Sequence, residues 1–136
     1  MPREGASYAG DWIASAQADL ARVQRRLDEG DIADAAFHLQ QAVEKALKGY
    51  LLARGWALKR THNLSLLLDE ATRHRGEFGG FAEMCAEVTA FYFADRYPTF
   101  APSPTAADVA RAHAEAARLI GQIVEDTRST RGEGDP

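Results

Sequence analysis

Apolar residues recur along this chain at spacings of three and four, which is the period of amphipathic helices rather than of strands. The pattern predicts five helices, over about 11–29, 32–54, 63–74, 81–94 and 105–127. Long amphipathic helices with short connections bury their apolar faces most simply against one another. We therefore predict an all-α fold, an antiparallel up-and-down bundle of about five helices with a four-helix-bundle core.

Turn and cap residues mark the predicted ends of the first three helices. Gly30 and Gly55 are expected to end the first and second helices, because glycine accommodates the left-handed backbone found there. Asp31 suits the N-cap of the second helix, and either Thr61 or Asn63 suits that of the third. The connections between these helices are therefore short.

A loop rich in proline separates the fourth helix from the fifth. Three prolines in the segment 98–104 remove amide donors and restrict the residues before them. Thr105 followed three residues later by Asp108 resembles a capping box, which predicts the start of the last helix. The pair Gly79 and Gly80 predicts a turn before the fourth helix.

The composition is that of one globular domain. The chain has 136 residues, 46% of them hydrophobic and 26% charged. We assign the helical domain to residues 8–127, with flexible termini at 1–7 and 128–136. No run approaches the roughly 18 apolar residues of a membrane span, and the first residues lack the pattern of a signal peptide.

The single cysteine, Cys85, lies among Phe81, Met84 and Val88 at helical spacing, which predicts a buried thiol. One cysteine excludes an internal disulfide framework and suits a reducing compartment, so we expect a cytoplasmic protein. The sequence contains no CxxC pair, no HExxH motif and no Gly-rich phosphate loop. We therefore expect no metal, no cofactor and no contact with a membrane.

Charge is distributed unevenly along the chain. The net charge is −4, yet all three lysines, Lys45, Lys48 and Lys59, fall in one stretch. No Asp or Glu occurs between Glu44 and Asp69. A basic segment within an acidic protein marks the place where an anionic partner is expected to bind.

Four polar residues share one narrow arc of the predicted second helix: His38, Gln41, Lys45 and Lys48. This polar stripe lies nearly opposite the apolar face, so it is either a solvated surface or an interface. Phe37 and Leu52 flank the stripe, and large apolar residues in that position favour a surface covered by another chain. Glu44 and Lys48 also stand four residues apart, as in a helical ion pair.

The other histidines have different surroundings. His62 stands beside Lys59 and Arg60, just before the third helix, where free amides attract anions. The alternative is that His62 only hydrogen-bonds the backbone of its loop. His74 is expected to be exposed, and His113 to pack in the core or at an interface.

A family resemblance rests on four segments of the sequence in a fixed order. They are Ala16-x-x-Asp19-Leu20, the run QQAVEKALK at 40–48, RTHNL at 60–64 and RYP at 96–98. Together they resemble a HEPN domain, a small helical domain of prokaryotes and higher eukaryotes, over roughly residues 8–127. The resemblance implies a helical, commonly dimeric protein, often encoded beside a minimal nucleotidyltransferase in toxin–antitoxin-like pairs, and here it points to a prokaryotic one.

The catalytic members of that family cleave RNA without metal, using an Arg followed by roughly four to six residues and then a His. A base takes the 2′-hydroxyl proton and a cation stabilises the pentavalent phosphorane. None of the four histidines here has an Arg at that distance upstream; for His62, Arg60 is too close and Arg54 too far. The resemblance therefore favours a non-catalytic binding module that partners a nucleotidyltransferase or binds nucleotide or RNA.

Two other hypotheses stay open, a plain scaffold bundle and a metal-independent ribonuclease toxin with a diverged site using His62 and Arg96. For a ligand we predict one binding site, formed where two segments converge at one end of the bundle. Its residues are Lys48, Lys59, Arg60, His62, Arg96 and Tyr97. Arg offers a planar fork for phosphate, and Tyr offers a stacking face for a base. Alternatively, Arg96 pairs with Asp95 or Asp69, and Tyr97 only packs the bundle end.

Overall fold

The computed structural model describes the backbone of residues 6–57, 59–97 and 103–134, and the side chains of 8–57, 59–94, 97 and 103–128. The described residues form five α-helices and one short 3₁₀ helix, with no strand among them. The α-helices are α1 (Ala6–Asp28), α2 (Ile32–Leu52), α3 (Leu64–Thr72), α4 (Ala82–Arg96) and α5 (Ala106–Gly134). The predicted all-α helical bundle is confirmed.

The helix ends lie where the cap residues predicted them. Gly30 and Gly55 both have positive φ angles, of 77° and 85°, after α1 and α2. The Asp31 carboxylate accepts a hydrogen bond from the amide of Asp34 at the start of α2. Asn63, rather than Thr61, is the N-cap of α3, because its side-chain oxygen accepts from two amides of the first turn.

The capping box of the last helix is confirmed. The amide of Thr105 donates to the Asp108 carboxylate at 3.0 Å, and the amide of Asp108 donates to the Thr105 hydroxyl at 3.1 Å. These reciprocal bonds fix the start of α5. Of the preceding proline-containing loop, residues 98–102 lie outside the described residues.

Three features differ from the helices predicted. Helix α1 begins at Ala6 instead of about residue 11, and α5 continues to Gly134 instead of about residue 127. Polar residues can extend a helix already started by packed turns, because each added residue gains a hydrogen bond at little further cost. The predicted turn at Gly79 and Gly80 belongs to the 3₁₀ helix Gly76–Phe81, which buries Phe78 and Phe81.

Helix α2 is the centre of the bundle, because it packs against each of the other four α-helices. Its apolar face is buried as predicted, and so is much of its circumference. The fully buried apolar side chains of α2 are those of Ala35, Leu39, Ala42, Val43, Ala46, Leu47, Tyr50 and Leu51. Because neighbouring helices surround α2, some of its polar side chains are buried inside the protein, where each must form hydrogen bonds or ion pairs.

The polar stripe of α2 is covered by α1 of the same chain, which corrects both interpretations made from the sequence. Lys45 Nζ donates to the Asp19 carboxylate at 2.7 Å and to the Ser15 hydroxyl at 3.0 Å. His38 Nδ1 lies 2.9 Å from the same carboxylate. Burial raises the pKa of Asp19, but the hydrogen bonds from Lys45 and His38 outweigh it, so the pKa falls below its ordinary value. The stripe thus joins two helices.

Close approach of α1 and α2 depends on Gly49. A Cβ atom at this position would stand 2.8 Å from Cγ1 of Ile13, 3.0 Å from the carbonyl oxygen of Ala9 and 3.1 Å from Cβ of Trp12. The first of these distances is shorter than van der Waals contact allows, and the second involves backbone. Glycine at position 49 is therefore needed for the spacing between the two helices.

Cys85 is buried, as predicted, and burial raises the pKa of its thiol to about 12. The thiol therefore stays protonated at neutral pH and serves as a small apolar core residue. None of the described helices has an apolar stretch long enough to cross a membrane.

We predict that Gly49→Ala lowers the free energy of unfolding by about 1 kcal/mol, because overpacking outweighs the gain in helix propensity. Gly121→Ala is the matched control, since position 121 is inside α5, exposed and open within 4 Å. The control is expected to raise the free energy of unfolding by about 0.5–1 kcal/mol. Urea unfolding of the three proteins measures both effects, and equal changes in the two variants would contradict the role assigned to Gly49.

Candidate functional site

A buried carboxylate lies at the middle of α2. The Glu44 side chain is only 7% exposed and accepts three hydrogen bonds. Lys48 Nζ donates to Oε2 at 2.8 Å, and Gln40 Nε2 donates to Oε1 at 2.9 Å. His62 Nδ1 lies 2.9 Å from the same Oε1 atom. Because positions 40, 44 and 48 are one helical turn apart, α2 supplies three of the four groups.

The protonation state of Glu44 follows from these contacts. Burial raises the pKa of Glu44, but hydrogen bonds from Lys48, His62 and Gln40 lower it by more than burial raises it. The pKa of Glu44 therefore lies below its ordinary value. The carboxylate is therefore ionised at neutral pH, with Lys48 as its counter-ion. Lys48 is itself only 7% exposed, and its ammonium group lies 5.8 Å from the ring centroid of Trp12. Its charge is thus already matched inside the protein.

His62 is the exposed end of this cluster. Its side chain is 60% exposed, although Nδ1 is bound to the buried Glu44. An ionised carboxylate can only accept a hydrogen bond, so His62 Nδ1 carries a hydrogen and donates a hydrogen bond to Glu44. For the other ring nitrogen, Nε2, the described part of the chain provides no hydrogen-bond partner. The structure thus places the His62 side chain on Glu44 and not on the backbone of its own loop.

A second contact fixes the orientation of the His62 ring. The ring stacks on that of Tyr92 from α4, with centroids 5.6 Å apart and an angle of 26° between the planes. The loop before α3 and the second half of α4 therefore meet. Their contact runs through His62 and Tyr92.

Aromatic side chains continue from Tyr92 to the end of α4. Tyr92 contacts Phe93 at 6.4 Å between centroids, and Phe93 contacts Tyr97 at 5.8 Å. Phe93 and Tyr97 are 52% and 50% exposed. With His62 they form a series of ring contacts, His62–Tyr92–Phe93–Tyr97, which we call the aromatic row. Tyr97 is thus the half-exposed end of the aromatic row.

The three remaining predicted ligand-binding residues differ in their surroundings. Arg60 is exposed and pairs with no carboxylate in the part of the chain that the structure describes. Lys59 is exposed too, but it lines a groove at α3 together with Asp69 and Glu70. Arg96 is the last residue of α4, and its side chain lies outside the described residues. Of these three residues, Arg60 is therefore the best candidate for a cation that binds a ligand.

Sequence reasoning missed Gln40, Glu44 and Tyr92 as site residues. A signal for the first two was present, because polar residues at 40, 44 and 48 repeat every four positions within a helix rich in Ala and Leu. Tyr92 carries no such signal, since it continues the apolar positions of the fourth helix at helical spacing. Within the described residues, no group of three His, Cys, Asp or Glu side chains could hold a metal ion.

The family model for the HEPN domain matches residues 9–126 of the chain. This chain belongs to the HEPN domain family. A solved structure, the crystal structure of TT1696 from Thermus thermophilus, is 30% identical in sequence and superposes with a TM-score of 0.71. That match covers 88% of this chain and 97% of TT1696. No curated protein sequence matches.

Among the described side chains, the arginine nearest to the family's catalytic spacing upstream of His62 is engaged elsewhere. Arg54, the nearest upstream Arg beyond Arg60, lies 3.7 Å from the ring centroid of Tyr50 and pairs with Asp126 at 3.1 Å. It is therefore held against α5. The site around His62 has an imidazole with a defined tautomer, an aromatic row and the exposed Arg60.

We predict that Glu44→Gln lowers the free energy of unfolding at pH 7 by about 3 kcal/mol, because it leaves the buried Lys48 charge without its counter-ion. The folded pKa of Glu44 is depressed, so its contribution is complete above the unfolded pKa and is lost as pH falls through the folded value. As the pH falls from about 5 to about 3, the free energy of unfolding should therefore decrease less in Glu44→Gln than in the wild type.

Glu125→Gln is the matched control for this experiment, because Glu125 is exposed on α5. Its stability should follow the wild type at each pH. Urea unfolding at a series of pH values measures the three proteins, and parallel curves for wild type and Glu44→Gln would contradict an ionised, buried Glu44.

Proposed function

We propose that this HEPN domain is a non-catalytic, homodimeric binding module that binds nucleotide or RNA and partners a minimal nucleotidyltransferase. The observation that carries the proposal is the His62 ring, exposed yet fixed between Glu44 and Tyr92. An exposed group held by two contacts is ready to bind without further ordering, which lowers the entropy lost on binding. Such a group, beside a basic segment, suits an external ligand better than a structural role.

The chemistry around His62 suits a phosphate with a base attached. Nε2 of His62 donates to a phosphate oxygen when the ring is protonated, and the guanidinium of Arg60 offers a planar fork for the same group. The exposed side chain of Tyr97 offers an aromatic face on which a base can stack. Cation, imidazole and aromatic faces together support nucleotide or single-stranded RNA as the ligand class.

Binding is favoured over cleavage because the catalytic arrangement of the family is incomplete. A base alone leaves the charge of the phosphorane without the cation that stabilises it. The ribonuclease alternative is favoured by one observation, that Glu44 fixes the tautomer of His62 and leaves Nε2 as a possible base. In that alternative His62 is the base and Arg96 the cation.

We predict that the protein binds short RNA and that binding weakens with salt, because phosphate contacts release counter-ions. Arg60→Ala and Arg96→Ala should each weaken binding about tenfold, since a charge-assisted contact contributes about 1.5 kcal/mol. Arg128→Ala is the matched control, because it removes one positive charge at an exposed position of α5. It should have little effect on RNA binding. Fluorescence anisotropy at two salt concentrations measures this, and equal affinity in all variants would place the ligand elsewhere.

The same RNA should remain intact when it is incubated with the protein in EDTA. This expectation follows from the missing spacing between Arg and His, which removes the usual cation from its usual position. Gel analysis over several hours tests it. Rapid cleavage in EDTA that His62→Ala abolishes would support the ribonuclease alternative and overturn the non-catalytic proposal.

Exposed apolar side chains support the proposal of a homodimer. Among the residues whose side chains the structure describes, four large apolar ones are exposed by roughly half, namely Phe37, Leu66, Phe93 and Tyr97. Of these, Phe93 on α4 is the side chain that we assign to the contact. Burial of such residues against a second copy would remove apolar area from water.

Sedimentation at micromolar concentrations is expected to give twice the chain mass of 14.9 kDa. Phe93→Glu should shift the protein toward monomer, because a charge would then be buried at the contact. A wild type that stays monomeric across this concentration range would exclude the homodimer. Co-expression with a nucleotidyltransferase encoded in the neighbouring reading frame, followed by co-purification, tests the second partner.

A further inference from the structure

A cavity of about 430 Å³ lies between the first turns of α2 and the second half of α4. Phe37 and Tyr92 stand among its walls, and the small side chains of Ala33 and Ala36 leave the space open. Ser103, just before α5, adds a hydroxyl group. Its volume is within the range of small-molecule sites, which are typically about 300–1,000 Å³.

The cavity adjoins the His62 site through one shared residue. Tyr92 lines the cavity and also stacks against the ring of His62 at 5.6 Å between centroids. A ligand in the cavity would therefore lie next to the exposed imidazole. Aromatic walls beside an exposed imidazole suit a ligand with a planar apolar part and an anionic part.

We propose that this cavity holds the planar base of a nucleotide, with its phosphate directed toward His62 and Arg60. The inference rests on the proposed function, since it assigns a place to one part of the ligand. The Phe37 and Tyr92 rings supply stacking contacts, as aromatic side chains do for the bases of single-stranded nucleic acids. Because Lys48 neutralises Glu44, the buried carboxylate does not repel a phosphate bound to the imidazole.

Two sources supply this chemistry, a free mononucleotide and an unpaired nucleotide within RNA. Binding of adenosine 5′-monophosphate, of a short oligoadenylate and of ribose 5-phosphate, which lacks the base, separates them. The cavity should add affinity only for ligands that carry a base. An effect confined to the mononucleotide identifies a free nucleotide, and an effect on the oligoadenylate identifies RNA.

Ala33→Trp fills the cavity without removing a polar group, and it is tolerable because Ala33 is exposed at the mouth. Ala117→Trp is the matched control, since Ala117 is exposed on α5 away from the cavity. Calorimetric titration is expected to show at least about a tenfold loss of affinity for a base-containing ligand in the first variant and none in the second. Ribose 5-phosphate should bind both alike.

Phe37→Ala provides a second, independent test, because Phe37 is 45% exposed and its loss spares the core. It removes one stacking wall and should also weaken binding of the base. If Ala33→Trp has a lower melting temperature than Ala117→Trp, the tryptophan has destabilised the fold. The affinity of Phe37→Ala for the base-containing ligand then tests the cavity site by itself. Unchanged affinity in Phe37→Ala and Ala33→Trp overturns the inference.

These outcomes separate the inference from the proposed function. If Arg60→Ala and His62→Ala weaken binding while the two cavity variants bind as the wild type does, the base lies outside the cavity and the proposed function stands. If the wild type binds none of the base-containing ligands, both the cavity site and nucleotide binding are excluded.

Discussion

The interaction on which the site depends is the burial of the Glu44 carboxylate inside the bundle. An ionised group removed from water is costly unless several donors surround it. Here one helix supplies Lys48 and Gln40, and the loop before α3 supplies His62. Satisfying this charge therefore ties the loop to α2 and fixes the one exposed imidazole of the cluster.

A buried carboxylate at this position follows from the place of α2 in the fold. Because α2 packs against all four other helices, its polar residues cannot all reach solvent. The same condition explains Asp19 on α1, whose carboxylate binds Lys45 and His38 of α2. The α1–α2 contact is close because position 49 has no side chain. The buried carboxylates of Asp19 and Glu44, together with Gly49, thus determine how α2 contacts α1 and the loop before α3.

The proposed function depends on the polar groups that are not used in contacts inside the bundle. Lys48 is used internally, whereas Arg60 and the outer nitrogen of His62 remain for a ligand. The aromatic row and the cavity beside Tyr92 add apolar faces to this polar edge. In the proposed function, these groups and apolar faces together form the site for nucleotide or RNA.

The sequence by itself determined the helices, their caps and the family. Spacings of three and four, Gly30, Gly55, Asp31 and the Thr105–Asp108 box are local features, and local hydrogen bonds and backbone preferences decide them. Only the tertiary structure decided which polar residues face inward. The arc holding His38 and Lys45 looks like an outer surface on a single helix, because periodicity gives a face but not its neighbour. Contacts between distant segments, such as His62 with Glu44 and Tyr92, depend on how the helices pack, which no local pattern contains.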